Sequence, residues 1–172
     1  MKRVSRKPGG YKPSYKKKTI STDPYRARGG SAVAECESCR AVYRNKRWYA
    51  GAGASTAGTA VVERTVCPAC LRIRDAFPSG IVTLRGGFVL LHKQDIMNLV
   101  RNEEERARGF NPLERIMSFR ENGYGSVVIT TTNEKLAQRI GRALKKAFHG
   151  DVDYRWSHED KLVRVDWVRE AA

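Results

Sequence analysis

The chain has 172 residues, a formal charge of +15 and a pI near 10.1, a balance that points to a polyanionic partner or an anionic membrane surface; no small-molecule substrate is expected. Its length allows one ordinary domain, or a small module plus a compact one. Nowhere do eighteen consecutive apolar residues occur, and the first residues hold no apolar signal-peptide core, so a soluble cytoplasmic protein that engages no membrane is expected.

The charge is concentrated at the amino terminus. Ten cations (Lys2, Arg3, Arg6, Lys7, Lys12, Lys16, Lys17, Lys18, Arg26 and Arg28) face the single acid Asp23, so this stretch supplies +9 of the +15. Residues 1–34 mix Lys, Arg, Gly and Pro without a hydrophobic period, and such a composition cannot offset its own ordering entropy. The expectation is a disordered basic tail whose tyrosines, Tyr11, Tyr15 and Tyr25, stack on bases while the cations take phosphates.

The next segment, 35–78, carries all four cysteines as Cys36-x2-Cys39 and Cys67-x2-Cys70. Each CxxC turns two sulfurs toward one point, and two such turns supply the four soft donors that tetrahedral Zn2+ prefers. Between them "AVYRNKRWY" and "TAVVERTV" read as short strands joined by the small-residue loop "GAGASTAG", which lacks the G-K-[ST] ending of a phosphate-binding loop. A β-rich four-cysteine module is expected, with Cys36, Cys39, Cys67 and Cys70 as ligands. A thioredoxin-like use of one CxxC calls for a helix start, which the ribbon context does not suggest. A rubredoxin-like iron site normally has glycine just after each knuckle, where this chain has Arg40 and Leu71. Four thiolates leave no open position on the metal, so the site folds the module and does not catalyse. The cations beside it, Arg40, Lys46, Arg47, Arg72 and Arg74, either balance the thiolates or form a rim toward phosphate.

Residues 79–172 read as an α+β domain with the order ββ-α-α-β-α-β-β. "IVTLRGGFVLLH" looks like a hairpin about Arg85, Gly86 and Gly87, and a helix fits 93–108, with Arg101–Glu105, Asn102–Arg106 and Glu104–Arg108 as i,i+4 pairs. Pro112 marks the start of a second helix through "PLERIMSFREN". "SVVITT" is a strand, and the Thr131/Glu134 spacing is that of a capping box opening a helix to Phe148. On that helix Leu136, Ile140, Ala143, Leu144 and Ala147 form the apolar side, and Lys135, Arg139, Arg142 and Lys146 form a separate cationic stripe without an acid from 135 to 148. Two closing strands alternate Val152, Tyr154, Trp156 and Val163, Val165, Trp167, with "SHED" as the turn. Trp156 and Trp167 read as core and Trp48 is open. His92, His149 and His158 lie far apart with no nucleophile motif beside them, so no catalytic residue is expected, and His92 is the one that could approach the cysteine module.

The runs "CPACLRIRDAFPSG", "LVRNEEERARGFNPLERIM" and "VVITTTNEKLAQRIGRALKKAFHGDVDYRW" resemble a family of small bacterial zinc-ribbon proteins of largely unassigned role. Through its paired CxxC knuckles that family is distantly similar to the amino-terminal zinc-bearing part of the nonsense-mediated-decay-named adaptor that exports the eukaryotic large ribosomal subunit. The resemblance implies a non-enzymatic protein that docks on ribosomal RNA or a ribosomal subunit, with Cys36, Cys39, Cys67 and Cys70 as metal ligands. The chain has no export-signal region, so export is not implied. Expected nucleic-acid contacts are the ten tail cations together with Arg47, Arg72, Arg139, Arg142 and Lys146. The alternatives from composition alone are a DNA-binding zinc-ribbon regulator and a rubredoxin-like redox protein.

Overall fold

Two mixed sheets, each with its own buried cluster, and four helices make up the residues that the computed structural model describes, which are 25, 33–51, 63–122, 125–157 and 161–171. The chain is α+β, as its pattern predicts. The tail cations Lys2 to Lys18, Arg26 and Arg28, the loop 52–62 and most of the "SHED" turn lie outside the described residues.

The first sheet has the order β3-β2-β1-β4, built from β1 (Ala34–Cys36), β2 (Val42–Arg44), β3 (Arg47–Tyr49) and β4 (Glu63–Thr65). β2 and β3 form a hairpin whose turn residues Asn45 and Lys46 both have positive φ, 49° and 63°. That left-handed pair matches the twist of the flanking strands. The cysteine-bearing segment is β-rich as expected, but it also holds a helix absent from that expectation, α1 (Pro68–Arg74). Pro68 suits its first turn, where no N–H is needed, and Cys67 is its N-cap, accepting from the Cys70 N–H. Ala34, Cys36, Ala41, Tyr43, Trp48, Cys67 and Ala69 form the small buried cluster, with Leu113 of the second part packed against it. β1 begins one residue inside the stretch assigned to the tail, and Tyr25 of that stretch stacks on Phe77 at 5.5 Å.

The second sheet has the order β6-β7-β5-β9-β8. β5 (Gly80–Arg85) is followed by α2 (Gly87–Leu91) and α3 (Lys93–Phe110), then by β6 (Ile116–Asn122), β7 (Ser126–Thr131), α4 (Glu134–Phe148), β8 (Asp151–Ser157) and β9 (Leu162–Val168). β5 runs parallel to β9, and the other neighbours are antiparallel. Strand alternation places Val82, Leu84, Val127, Ile129, Val163, Val165 and Trp167 in one core with Ile96 and Val100 of α3 and Leu136, Ile140 and Leu144 of α4. Trp167 is fully buried and donates its Nε1–H to His149 O at 2.8 Å.

Four local expectations are corrected. The segment 81–92 is a strand followed by a short helix and not a hairpin, because Gly86, at φ 101°, turns the chain against Arg169, whose carbonyl oxygen would lie 2.1 Å from any Cβ there. Residues 116–122 are a strand: pairing with β7 from Ile116↔Thr131 to Asn122↔Ser126 overrides the helix signal of Pro112. Asn133, not Thr131, caps α4, its Oδ1 accepting from Lys135 N at 2.7 Å, while the Thr131 hydroxyl donates to Asn133 O. On α3, in place of the expected i,i+4 contacts, Arg106 pairs with Glu103, at i,i+3, and Glu104 accepts from the Ile116 N–H. No helix among the described residues is long and apolar enough to cross a membrane.

Candidate metal centre and cationic surface

The first CxxC lies in the turn between β1 and β2. Cys36 N donates to Ala41 O and Arg40 N to Cys36 O, a tight loop that requires Arg40 to take φ 61°, in the left-handed region. Arginine here adopts the conformation that glycine usually supplies in such a knuckle, so the missing glycine does not set this turn apart from an iron-binding one. The second CxxC opens α1, which corrects the expectation that neither pair sits at a helix start.

The two turns bring the four sulfurs within 4.8 Å of one another. Thiolates at about 2.3 Å from a tetrahedral ion stand roughly 3.8 Å apart, and the Cys39 and Cys67 sulfurs are 3.7 Å apart. None of the four is in a disulfide. Cys36 and Cys67 are fully buried, and Cys39 and Cys70 are partly so. These residues are thus able to hold a metal ion.

The electrostatics of the cluster are uneven. Burial pushes the Cys36 thiol up, but backbone N–H groups of Cys67, Cys39 and Ser38 outweigh it and hold Cys36 down to about 6. The Cys67 N–H reaches Cys36 Sγ at 3.3 Å. Burial dominates at Cys67 and Cys70 and raises both, with neighbouring sulfurs adding repulsion. Arg115, on the segment leading into β6, donates from Nη1 to Cys70 Sγ at 3.5 Å. Burial opposes its charge, and the sulfurs of Cys39, Cys67 and Cys70 more than offset that. No sequence signal marks Arg115, since it lies 45 residues beyond Cys70 and only the packing of the two parts brings it in.

Of the five cations expected beside the cysteines, Arg40, Arg47, Arg72 and Arg74 have protein partners. Arg72 is 6% exposed, with its guanidinium over the Tyr25 ring at 4.6 Å and its Nη1 donating to Phe77 O, so it is a buried packing residue and not part of an open rim. Arg40 pairs with Glu35, Arg74 with Asp75, and Arg47 donates to Phe110 O, tying the hairpin to the end of α3. His92 stacks on Phe88 in the larger core and takes no part in the cysteine cluster.

On α4 the buried residues are Leu136, Ala137, Ile140, Gly141 and Leu144, and Ala147 is exposed. At about 100° per residue, Lys135, Arg139, Arg142 and Lys146 therefore face nearly opposite the core. Lys135, Arg142, Lys145 and Lys146 are exposed. Arg139 is half-buried, 3.9 Å from the buried Glu114 carboxylate. A cleft of about 340 Å³ lies between α1 and the start of α4, lined among others by Tyr25, Arg72, Ser79, Lys135 and Lys161.

The tryptophans reverse their expected roles in part. Trp167 is core as expected, Trp48 is 6% exposed and packs on Tyr43, and Trp156 is 52% exposed. No family model matches the chain, and neither a curated protein nor a solved structure matches it.

Proposed function

We propose that the chain is a zinc-structured, non-enzymatic RNA-binding protein that works on ribosomal RNA or a ribosomal subunit. The observation that carries the reading is the outward stripe of α4, where Lys135, Arg142, Lys145 and Lys146 stand exposed with no acid between 135 and 148. A helix that needed only solvation would mix both signs. One that meets phosphates gains from a single sign, because each neutralised phosphate releases counterions. The basic tail adds ten cations to the same chain.

Zinc is the metal that the four-sulfur donor set favours. Cys36, Cys39, Cys67 and Cys70 would hold it with no open position, so its contribution is to fold the module, on the order of 10 kcal/mol. The buried cluster of that module is small, and two of its seven members are ligands themselves. Metal therefore supplies what apolar burial cannot.

The test is fluorescence anisotropy of a labelled ribosomal RNA fragment across a salt series with the zinc-loaded chain. If about eight phosphates are neutralised, log K falls with log salt at a slope of roughly −5 to −7. Binding that ignores salt would contradict the reading, and equal competition by duplex DNA would move it to a DNA-binding regulator.

A further inference from the structure

β8 is an edge strand, and its two faces differ in chemistry. The face turned away from α4 carries Asp151, Asp153 and Arg155, with Arg155 paired to Asp153 and Asp166. The face toward α4 carries Val152, Tyr154 and Trp156. Val152 and Tyr154 pack against the core, whereas Trp156 stays half in solvent, stacked on Tyr154 at 5.9 Å and 20° between ring planes.

This stacked pair sits directly beside the cationic helix. A Cβ at Gly141 would lie 2.9 Å from the Tyr154 hydroxyl, so the ring abuts α4 where the helix offers no side chain of its own. Arg142 is exposed and its charge acts on the Tyr154 hydroxyl, and Lys145, one helical turn on from Gly141, is exposed on the same side of α4. The acids of the strand lie on its far side, where Arg155 is paired with Asp153 and Asp166, and Arg142 and Lys145 lie on the near side. An exposed indole held in place by a second ring, which in turn lies against a cationic helix, has the chemistry of a platform for a base whose phosphates run along that helix.

We propose that Trp156, backed by Tyr154, stacks an unpaired nucleobase of a single strand, with Arg142 and Lys145 meeting the adjacent phosphates. This rests on the nucleic-acid reading above and adds to it the class of ligand and the place where it sits. A base in a duplex is already stacked and cannot use the platform. The same chemistry would accept single strands of RNA or DNA, which the experiment separates.

Trp156 is the exposed member of the three tryptophans, with Trp48 and Trp167 buried, so fluorescence quenching by a ligand that is lost in Trp156→Leu reports this site. The zinc-loaded full chain is titrated with oligouridylate, oligothymidylate and a matched RNA duplex, and labelled oligouridylate anisotropy gives affinities for variants. The expected result is quenching by the single strands, stronger for oligouridylate, and little by the duplex. Trp156→Leu should weaken oligouridylate binding roughly five- to 150-fold, with Trp156→Phe recovering most of it. Because the residue is half exposed, neither change should disturb folding, and the double variant Arg142→Gln/Lys145→Gln provides a second route to the same loss. Unchanged affinity in Trp156→Leu, with RNA binding intact, would overturn the platform and leave the wider reading standing. Preference for the duplex would also overturn it, and preference for oligothymidylate would keep the platform and overturn its assignment to RNA. Failure of the wild-type chain to bind any RNA would remove both.

Discussion

Arg115 Nη1 lies 3.5 Å from Cys70 Sγ, so a residue of the second sheet's lead-in segment donates directly to a sulfur of the cysteine cluster. The same guanidinium donates from Nε to Pro112 O at 2.8 Å, which fixes its orientation. The cysteine cluster and the α+β domain are thereby linked through this side chain, beside the Arg47–Phe110 hydrogen bond and the packing of Leu113.

Replacing Arg115 should weaken zinc binding without unfolding the domain. Hydrogen-bond donors outside the coordination shell are worth about 10- to 100-fold in metal affinity. Arg115→Met is therefore expected to lose zinc to a chromophoric chelator about 10- to 100-fold more readily, and Arg115→Lys to fall between, since it keeps charge without the planar fork. Equal affinities in all three proteins would show that Arg115 only packs.

Zinc affinity should rise steeply with pH. In the metal-free site Cys36, held at about 6, is ionised at neutral pH, whereas Cys67 and Cys70 are raised above the ordinary thiol value and keep their protons. The signs are opposite. The depressed Cys36 stabilises the metal-free fold above the ordinary thiol value and loses that contribution as pH falls toward 6. The raised pair contribute fully below that value and lose it as pH rises through their folded pKa. Zinc must expel at least the protons of the raised pair, so affinity is expected to climb about 100-fold per pH unit around neutrality. Calorimetric titrations between about pH 6.5 and 8 measure this, and a flat profile would contradict the assignment of these protons.

Arg40→Gly should stabilise the module slightly. The left-handed conformation costs a side-chain-bearing residue about 1–2 kcal/mol. The Arg40–Glu35 pair at 3.1 Å, with the arginine side chain 66% exposed, returns at most about 1 kcal/mol. A rise in the thermal midpoint of the zinc-loaded chain is the expected outcome. A fall would mean that the ion pair outweighs the backbone strain.

Gly86→Ala should do the reverse in the larger domain. A methyl group there meets the Arg169 carbonyl at 2.1 Å, and φ is 101°, so neither a rotamer nor a small shift relieves it. A loss of about 2 kcal/mol or more is expected by denaturant titration. A loss under about 0.5 kcal/mol, the range of neutral surface changes, would show that the turn relaxes.

Some of this architecture is legible from local pattern. The spacing of Cys36, Cys39, Cys67 and Cys70 identifies the cluster, because a tight turn fixes the positions of two sulfurs within five residues. β7, α3 and α4 follow from alternation and periodicity over lengths that leave little ambiguity. Where long-range pairing decides, the reading fails. Residues 116–122 are a strand only because β7 lies beside them, and Gly86 starts a helix only because the chain after β9 returns to it. Arg72 and Trp156 exchange expected places for the same reason: a short charged segment does not show that Tyr25 and Phe77 will cover Arg72, and an alternating strand does not show that it will lie at the sheet edge. Arg115 carries no local signal, since its partner sulfur is remote in sequence.

The central proposal is a metal-held module on a chain that docks to ribosomal RNA. Ultraviolet crosslinking of the tagged protein in its own cells, followed by sequencing of the attached RNA, tests it most directly. Reads concentrated at a few ribosomal RNA positions, and lost when Cys36 and Cys67 are both replaced by serine, are the predicted result. Little attached RNA, or reads that merely track transcript abundance, would contradict it.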